Sequence, residues 1–303
     1  MVKIKQEKLK LTDQQLITDK EVMEFGHLIK LLDDEDENIY NSIKERFLSH
    51  GNNSAVFLKK YLNDENYLIR KRANEIFSIL NFEELDDKFS RLSLKEDILE
   101  EAAFLLASFE YPDVNMNDYS KELDKMAMDI ESMLLKVNIN SKRLETLEIL
   151  NTVNNYLFFE KGFTGNAENY YEPDNSYVNK VMETKLGIPI SLSLIYILIS
   201  RRLNLPVFGI SLPGHFILKY SDAEEEFFID PFNKGVIISM REAEEFIKKS
   251  GMTKSAFENI PYLKNTSDKE IILRVIRNLV EIYKKKSEAL KSEQLEKLME
   301  HFT

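Results

Sequence analysis

The sequence predicts an α+β protein in which a helical N-terminal region precedes a buried helix, an antiparallel sheet and a C-terminal pair of helices. Three observations predict this order. Proline is absent before Pro112 and only two glycines occur before Gly162, while the apolar residues of this region follow helical spacing. An apolar window at 187–200 is then followed by four short strand-like runs rich in β-branched and aromatic residues, at 207–211, 215–220, 226–230 and 236–239. Helical spacing returns from about Ile271.

The chain has 303 residues, which is enough for about two domains of ordinary size. We predict a helical region at 1–88, a mixed domain at 89–260 and C-terminal helices at 261–303. The absence of cysteine excludes disulfides, cysteine-ligated metals and a thiol nucleophile. A net charge of −11 argues against a general nucleic-acid surface, because phosphate binding needs a dense cationic face. We therefore predict no nucleic-acid partner, no cofactor and no metal site.

Neither the N-terminal segment nor the most apolar window of the sequence predicts a membrane protein. The first sixteen residues are charged throughout and lack the apolar stretch and cleavage site of a signal peptide. The most apolar window, 187–200, has fourteen residues, too few for a helix to cross a hydrocarbon core of about 30 Å. We therefore predict a cytoplasmic protein in which this helix is surrounded by protein.

The N-terminal region matches itself when it is shifted by thirty residues. Each unit consists of a helix, an acidic turn and a second helix, and such units must stack on neighbours to bury their apolar faces. The pattern resembles HEAT-type repeats, in which Asp64 and Arg70 match the acidic turn and the following basic residue. Two unrelated helical hairpins remain an alternative. In either case the stacked helices predict a surface that binds a protein partner. The matched residues are Leu28, Leu32, Asp34, Glu35, Ile39 and Phe47 with Leu58, Leu62, Asp64, Glu65, Ile69 and Phe77.

A hairpin around the acidic turn 221–225 brings a histidine and an aspartate together. Symmetric pairing sets Lys219 opposite Glu226 and His215 opposite Asp230, so both members of each pair share a face. An aspartate at this position would fix the histidine tautomer, as in many general bases. Two alternatives remain open: both residues could serve only in turns, and a register slip of one residue would separate them.

Four blocks of sequence resemble the bacterial SirB-type transglutaminase-like family: Tyr170–Ser176, Gly187–Ser193, Pro213–Phe216 and Asp230–Asn233. The similarity runs from about Leu94 to the C-terminus. The resemblance implies a papain-like transglutaminase core, with a nucleophile at the start of a buried helix that packs on a sheet. It also implies that His215 and Asp230 correspond to the second and third members of a Cys-His-Asp triad.

The first member of the triad has no match in this chain. An alignment without a gap puts Pro189 at the cysteine position, whereas a shift of two residues puts Ser191 there. A serine inside a buried helix is commonly a packing residue or bonds to the local backbone. The resemblance implies a cleft beside these residues, with Tyr170, Tyr171, Asn175, Ser176, Pro189 and Asn233 as its lining.

Two functions follow from these residues. The first is a transglutaminase-like protein without a nucleophile, acting as a protein-interaction or regulatory module. The second is a hydrolase or acyl-transfer enzyme acting on amides or esters, with Ser191 as nucleophile, His215 as general base and Asp230 as the residue that orients it. The tail resembles the start of tetratricopeptide-like helices, and a helix pair that only covers the domain is an equal alternative. The sequence does not indicate an oligomeric state.

Overall fold

The computed structural model of the chain describes residues 17–135, 142–212, 214–238, 245 and 264–302. The charged segment 1–16, Pro213 and the predicted domain boundary after residue 260 lie outside the described residues. The chain divides into two compact units, of which the first ends at Glu84 and the second begins at Leu85. The two domain boundaries drawn from the sequence, after residues 88 and 260, remain predictions.

The N-terminal unit is built from helices that pack around an aromatic and aliphatic core. Its elements are α1 (Asp19–Leu31), α2 (Glu37–Ser49), α3 (Asn52–Leu58), a 3-10 turn (Lys59–Tyr61) and the first part of α4 (Tyr67–Leu92). Thr18 and Glu21 begin α1 with a reciprocal capping box, which satisfies backbone N–H groups of the first turn. The core includes Phe25, Ile29, Leu32, Tyr40, Ile43, Phe47, Leu58, Ile76 and Leu80.

The two acidic turns of this unit use the same local bonding. The Asp34 carboxylate accepts a hydrogen bond from the Asp36 N–H at 2.9 Å, and Asp64 accepts one from the Asn66 N–H at the same distance. The buried guanidinium of Arg72 donates to the carbonyl oxygens of Leu32 and Asp34, which close the first turn. The thirty-residue match therefore coincides with a repeated turn geometry, while the HEAT assignment itself stays a prediction.

The second unit contains most of the helices and the main sheet. After the end of α4 come α5 (Leu99–Glu110), α6 (Met116–Leu134), α7 (Lys142–Asn154) with a π-helical turn (Asn155–Glu160), α8 (Val178–Thr184) and α9 (Pro189–Arg202). A C-terminal pair, α10 (Asp268–Lys285) and α11 (Ala289–Glu300), completes it. Helix α9 occupies the centre, in contact with α5, α6, α8, α10 and the sheet.

Helix α9 is the apolar helix expected from the sequence. Every residue from Pro189 to Ser200 is buried, which explains why its apolar residues show no single face. Pro189 occupies the first helical position, where its missing N–H costs no intrahelical bond. At the other end Arg202 donates to the Glu100 carboxylate through both terminal nitrogens, each at 2.9 Å.

The main sheet is an antiparallel meander in the order β3-β4-β5-β6. Its strands are β3 (Val207–Leu212), β4 (His215–Ser221), β5 (Glu226–Asp230) and β6 (Val236–Ile238). They coincide with the four predicted runs, although the last residue of the fourth run, Ser239, lies outside the described residues. A short parallel pair, β1 (Thr164–Gly165) and β2 (Leu186–Gly187), was not expected from the sequence.

Close packing fixes the sheet beneath the C-terminal helices. A Cβ at Gly209 would lie 2.5 Å from the Phe216 ring, so only glycine fits at this position of β3. Helix α10 buries Ile271, Ile272, Val275, Leu279 and Ile282, the residues whose spacing predicted it. The Tyr283 hydroxyl on the same helix lies 3.0 Å from that of Tyr177 and donates to Glu110 at 2.9 Å.

The predicted fold class is confirmed. A helical N-terminal region precedes a core in which helices pack on an antiparallel sheet, and a helix pair ends the chain. The α+β architecture is mostly helical. It places the start of α9, the start of β4 and one face of α10 around the same space.

Candidate functional site

A cavity of about 300 Å³ opens where these elements meet. Its lining comes from the loop before α8, the start of α9, the start of β4 and helix α10. The lining residues are Tyr170, Tyr171, Ile188, Pro189, Ile190, Gly214, His215, Phe216, Arg274, Asn278, Glu281 and Ile282. The cavity thus combines an apolar base with a few polar side chains, as ligand sites generally do.

His215 and Asp230 form a hydrogen-bonded pair at the base of this cavity. The Nε2 atom of His215 lies 2.9 Å from Oδ2 of Asp230, whose side chain is 1% exposed, compared with 13% for His215. Burial by itself would raise the pKa of this carboxyl, but the hydrogen bond and charge of His215, with further bonds from Asn233, hold the pKa below its ordinary value of 3.8. Because an ionised carboxylate only accepts, Nε2–H of His215 is the donor.

Asp230 is held by more than the histidine. Its Oδ2 also accepts from the side-chain amide of Asn233 at 2.8 Å, and its Oδ1 accepts from the backbone N–H groups of Phe232 and Asn233 at 3.1 and 3.2 Å. Four donors therefore converge on one buried carboxylate. The arrangement fixes the orientation of the imidazole at the cavity.

The hairpin register differs from the one predicted by symmetry. The structure pairs Lys219 with Phe228 and Ser221 with Glu226, so the strands are displaced by two residues. The prediction that His215 stands directly opposite Asp230 was therefore wrong. A displacement of two keeps both residues on the same face, and diagonal neighbours remain within reach of long side chains. The contact is formed diagonally across the hairpin.

Ser191 lies in a different environment from His215. It is 2% exposed and occupies the third position of α9. Its hydroxyl donates to the carbonyl oxygen of Asn175 at 2.5 Å and accepts from the N–H of Ile188 at 3.0 Å. These bonds join the 3-10 turn Pro173–Asn175 to the start of the helix. The cavity wall at this end of α9 is formed by Ile188, Pro189 and Ile190 instead.

The other residues expected at the cleft fall into two groups. Tyr170, Tyr171 and Pro189 line the cavity. Asn175 and Ser176 are buried behind it, where the Asn175 amide donates to the carbonyl oxygen of Asn169 at 2.7 Å and shapes the loop. Asn233 supports Asp230 rather than lining the cavity.

Three polar residues of the cavity were missed by the sequence reasoning: Arg274, Asn278 and Glu281, all on α10. Their spacing is helical, but the apolar residues on the other face of α10 gave the only recognisable pattern. Nothing in the local sequence indicates that Arg274, 59 residues after His215, returns to the histidine. A sequence signal for these side chains is therefore absent.

The described part of the chain shows neither of two further features, a metal-binding cluster and a membrane-spanning helix. Within it, no three histidine, aspartate or glutamate side chains are grouped so that they could hold a metal ion. None of the helices described is both long and apolar enough to cross a membrane.

Comparison with known proteins identifies relatives of this chain. The chain is 33% identical over 183 residues to a UPF0162 protein of Xylella fastidiosa, which covers 60% of this chain and 63% of that protein. It is 27% identical over 155 residues to a UPF0162 protein of Vibrio cholerae, covering 51% and 53%. It is 28% identical over 162 residues to human F-box only protein 21, covering 51% of this chain and 24% of that protein.

The chain therefore spans less than two thirds of the length of these relatives. No solved structure matches it. A family profile matches residues 117–277, which include the loop, α9, the sheet and, of the four cavity-lining residues on α10, Arg274. This chain belongs to the transglutaminase-like superfamily.

Proposed function

We propose that this protein is a non-catalytic member of its superfamily, a SirB-type pseudoenzyme whose cleft binds a segment of a partner protein. The observation that carries the proposal is the side chain at the start of α9. Pro189 lines the cavity there, at the position that aligns without a gap with the cysteine of transglutaminases, and the chain contains no cysteine. Proline has neither a nucleophilic atom nor an N–H group.

The bonding of Ser191 supports the same conclusion. A serine nucleophile must be within about 2.6–3.2 Å of its general base in a reactive geometry. The Ser191 hydroxyl instead bonds to two backbone groups in a buried position. To react it would have to leave both of them, and each would then be buried without a partner, at a cost of about 1–3 kcal/mol per group.

In this proposal, the helices that precede and follow the core in the sequence supply the remaining surface for a partner. In this proposal the HEAT-like region 1–88 and the tetratricopeptide-like helices 261–303 bind protein, and the protein acts in the cytoplasm as an interaction or regulatory module. The repeated acidic turns of the N-terminal unit favour a repeat surface.

The hydrolase alternative is favoured by one observation. His215 and Asp230 retain the geometry of a general base and its orienting carboxylate, at 2.9 Å. In that mechanism Ser191 would attack an ester or amide carbonyl, His215 would pass the serine proton to the leaving group, and water would release the acid. The two proposed functions differ in whether Ser191, on the helix side of the cleft, takes part in chemistry with the His215–Asp230 pair.

The test is whether the purified protein turns over any ester or amide. We expect no hydrolysis of activated esters or peptide amides above the level of His215→Ala, and no labelling by a serine-directed fluorophosphonate. Hydrolysis that disappears in His215→Ala, together with labelling that disappears in Ser191→Ala, would establish the enzyme and refute the pseudoenzyme. Thermal unfolding of each variant checks that its fold is retained.

A further inference from the structure

Arg274 is an unusual component of the cavity wall. Its guanidinium, partly buried, donates to the carbonyl oxygens of Leu212 and His215 at 3.0 and 2.8 Å and to the hydroxyl of Ser211. The group also lies over the Phe216 ring, 5.5 Å from its centroid. All of these partners are electrically neutral.

The positive charge of Arg274 is therefore not matched within the described part of the chain, where no carboxylate pairs with it. Arginines that are removed from solvent are normally paired with an acid. A guanidinium has five N–H donors, and the three bonds to Ser211, Leu212 and His215 leave two of them for a ligand. Burial lowers the pKa of Arg274; Tyr170 counters this effect, and the neighbouring charge of Arg277 adds to it.

Other groups around the cavity favour an anion as well. The start of α9, at Pro189 and Ile190, directs the positive end of a fourteen-residue helix towards the cavity. The ammonium group of Lys285 lies 3.7 Å from the centroid of the Tyr171 ring, at the cavity rim.

Two carboxylates oppose an anion. Glu281 lines the cavity, but its side chain is exposed and lies two turns beyond Arg274 on α10, about 10 Å along the helix axis. That separation exceeds the Debye length of about 8 Å at physiological ionic strength, so solvent and salt screen the repulsion. Asp230 is 1% exposed and does not line the cavity, and the four donors bonded to it offset its charge.

We propose that the cleft binds a carboxylate-bearing segment, with Arg274 as the group that recognises the carboxylate beside His215. The inference rests on the proposed binding function and names the chemistry of the bound partner. Nη2 of Arg274 already donates to two carbonyl oxygens and Nη1 to Ser211, so the N–H groups that remain are on Nε and Nη1. Each of them can donate a charge-assisted hydrogen bond to a carboxylate. The carboxylate can come from a chain terminus or from an aspartate or glutamate side chain.

The experiment uses the whole 303-residue chain labelled with ¹³C-histidine. Because the chain has only four histidines, the His215 signal can be assigned with a His215→Ala variant. Three probes are titrated: N-acetyl-glycyl-glycine, which has a free terminal carboxylate; N-acetyl-glycyl-glycinamide, which has none; and N-acetyl-glutamyl-glycinamide, whose carboxylate is on a side chain. We expect the two acids to shift the His215 signal saturably and to bind at least roughly tenfold more tightly than the amide.

Variants separate recognition from support of the hairpin. Arg274→Gln should weaken binding of the acids at least roughly tenfold and leave binding of the amide unchanged. Ser211→Ala removes one bond of Arg274 but not its charge, so it should bind the acids like the wild type. Glu281→Gln removes the opposing charge from an exposed position and should tighten binding of the acids.

Equal binding of acid and amide, binding of neither, or acid binding that survives Arg274→Gln would each overturn the carboxylate proposal. Equal binding of acid and amide would still leave the binding function of the cleft in place. Turnover of esters would refute the pseudoenzyme without affecting the carboxylate preference. If only one of the two acids binds, it identifies the source of the carboxylate as a terminus or a side chain.

Discussion

The two sides of the cleft differ in how they use their polar groups. On the hairpin side, His215 and Asp230 bond to each other at the cavity, and further donors hold the carboxylate. On the helix side, Pro189 lines the cavity, and the nearest hydroxyl in sequence, that of Ser191, bonds to the backbone behind it. The resemblance to transglutaminases implies a nucleophile on the helix side and its base on the hairpin side, and in this chain Pro189 occupies the cavity wall where the ungapped alignment expects the nucleophile. The polar pair can then serve binding or stability without chemistry.

Among the substitutions that test this comparison, we expect the removal of the Asp230 carboxylate to have the largest effect on stability. Asp230→Ala leaves the imidazole, the Asn233 amide and two backbone N–H groups without their acceptor in a buried position. We expect a loss of about 3–5 kcal/mol in the free energy of unfolding, measured with urea, because four donors to a buried, ionised carboxylate lose this acceptor. Asp222→Ala is the matched control: that carboxylate caps two N–H groups in the turn of the same hairpin but is partly exposed, so its loss should cost about 1 kcal/mol. Equal costs would show that the pair at the cavity is not special.

The acid dependence of the same pair has a defined sign. The folded pKa of Asp230 lies below its ordinary value of 3.8, so the ionised carboxylate stabilises the folded state fully above that value. The stabilisation is lost as the pH falls from about 3.8 through the lower, folded value. We therefore expect the stability difference between wild type and Asp230→Asn to shrink across this range. A difference that is constant with pH would show that the ionised form contributes nothing.

Substitution of Ser191 tests whether its hydroxyl has a structural role on the helix side of the cleft. Ser191→Ala removes a hydroxyl that bonds to Asn175 and Ile188, and it leaves two buried backbone groups without a partner. We expect the free energy of unfolding to fall by about 2 kcal/mol. Ser193→Ala is the control within the same helix, because the Ser193 hydroxyl is also buried but bonds to none of the described residues. This second substitution should be close to neutral, and equal losses would contradict a structural role for Ser191.

The sequence predicted much of this arrangement because the patterns involved are local. The burial of α9 follows from a run that is apolar on every side, and the four strands follow from short apolar runs bounded by turn residues. The prediction that His215 and Asp230 lie on one face of the sheet was also correct, although the predicted register was wrong by two residues. A shift of two residues preserves the alternation of a strand, whereas a shift of one would have destroyed the pair.

The exact register could not be predicted from the strands. From Phe227 to Asp230 every residue of β5 is buried, so no alternation of apolar and polar residues specifies which residue lies opposite which. The turn decides it instead, because the Asp222 carboxylate accepts from the N–H groups of Glu224 and Glu225, both at 2.9 Å, and pairing begins at Ser221 and Glu226. The contribution of α10 to the cavity was equally invisible, since it depends on long-range packing of a helix whose sequence indicates only its apolar face.

We expect the smallest effect from a substitution that places a thiol at the position aligned with the transglutaminase cysteine. Pro189→Cys would give the chain a single thiol at the start of α9, in a cavity that also contains His215. A helix start and a neighbouring imidazolium both favour the thiolate, so its pKa should fall below the value of about 8.5 for a free cysteine. If the pKa falls by about two units, the thiolate fraction at mildly acidic pH rises strongly, but the nucleophilicity of the thiolate falls, and alkylation should be roughly tenfold faster than for an ordinary thiol.

Iodoacetamide labelling followed by mass spectrometry measures this rate without interference, because the wild type contains no cysteine. Ser90→Cys, on an exposed position of α4, supplies the ordinary thiol. A fast rate that is lost in Pro189→Cys/His215→Ala would show that the hairpin side can still activate a nucleophile and lacks only the atom to activate. A rate equal to that of Ser90→Cys would instead show that the two sides no longer act on each other, and the His215–Asp230 pair would then have to be explained by binding and stability alone.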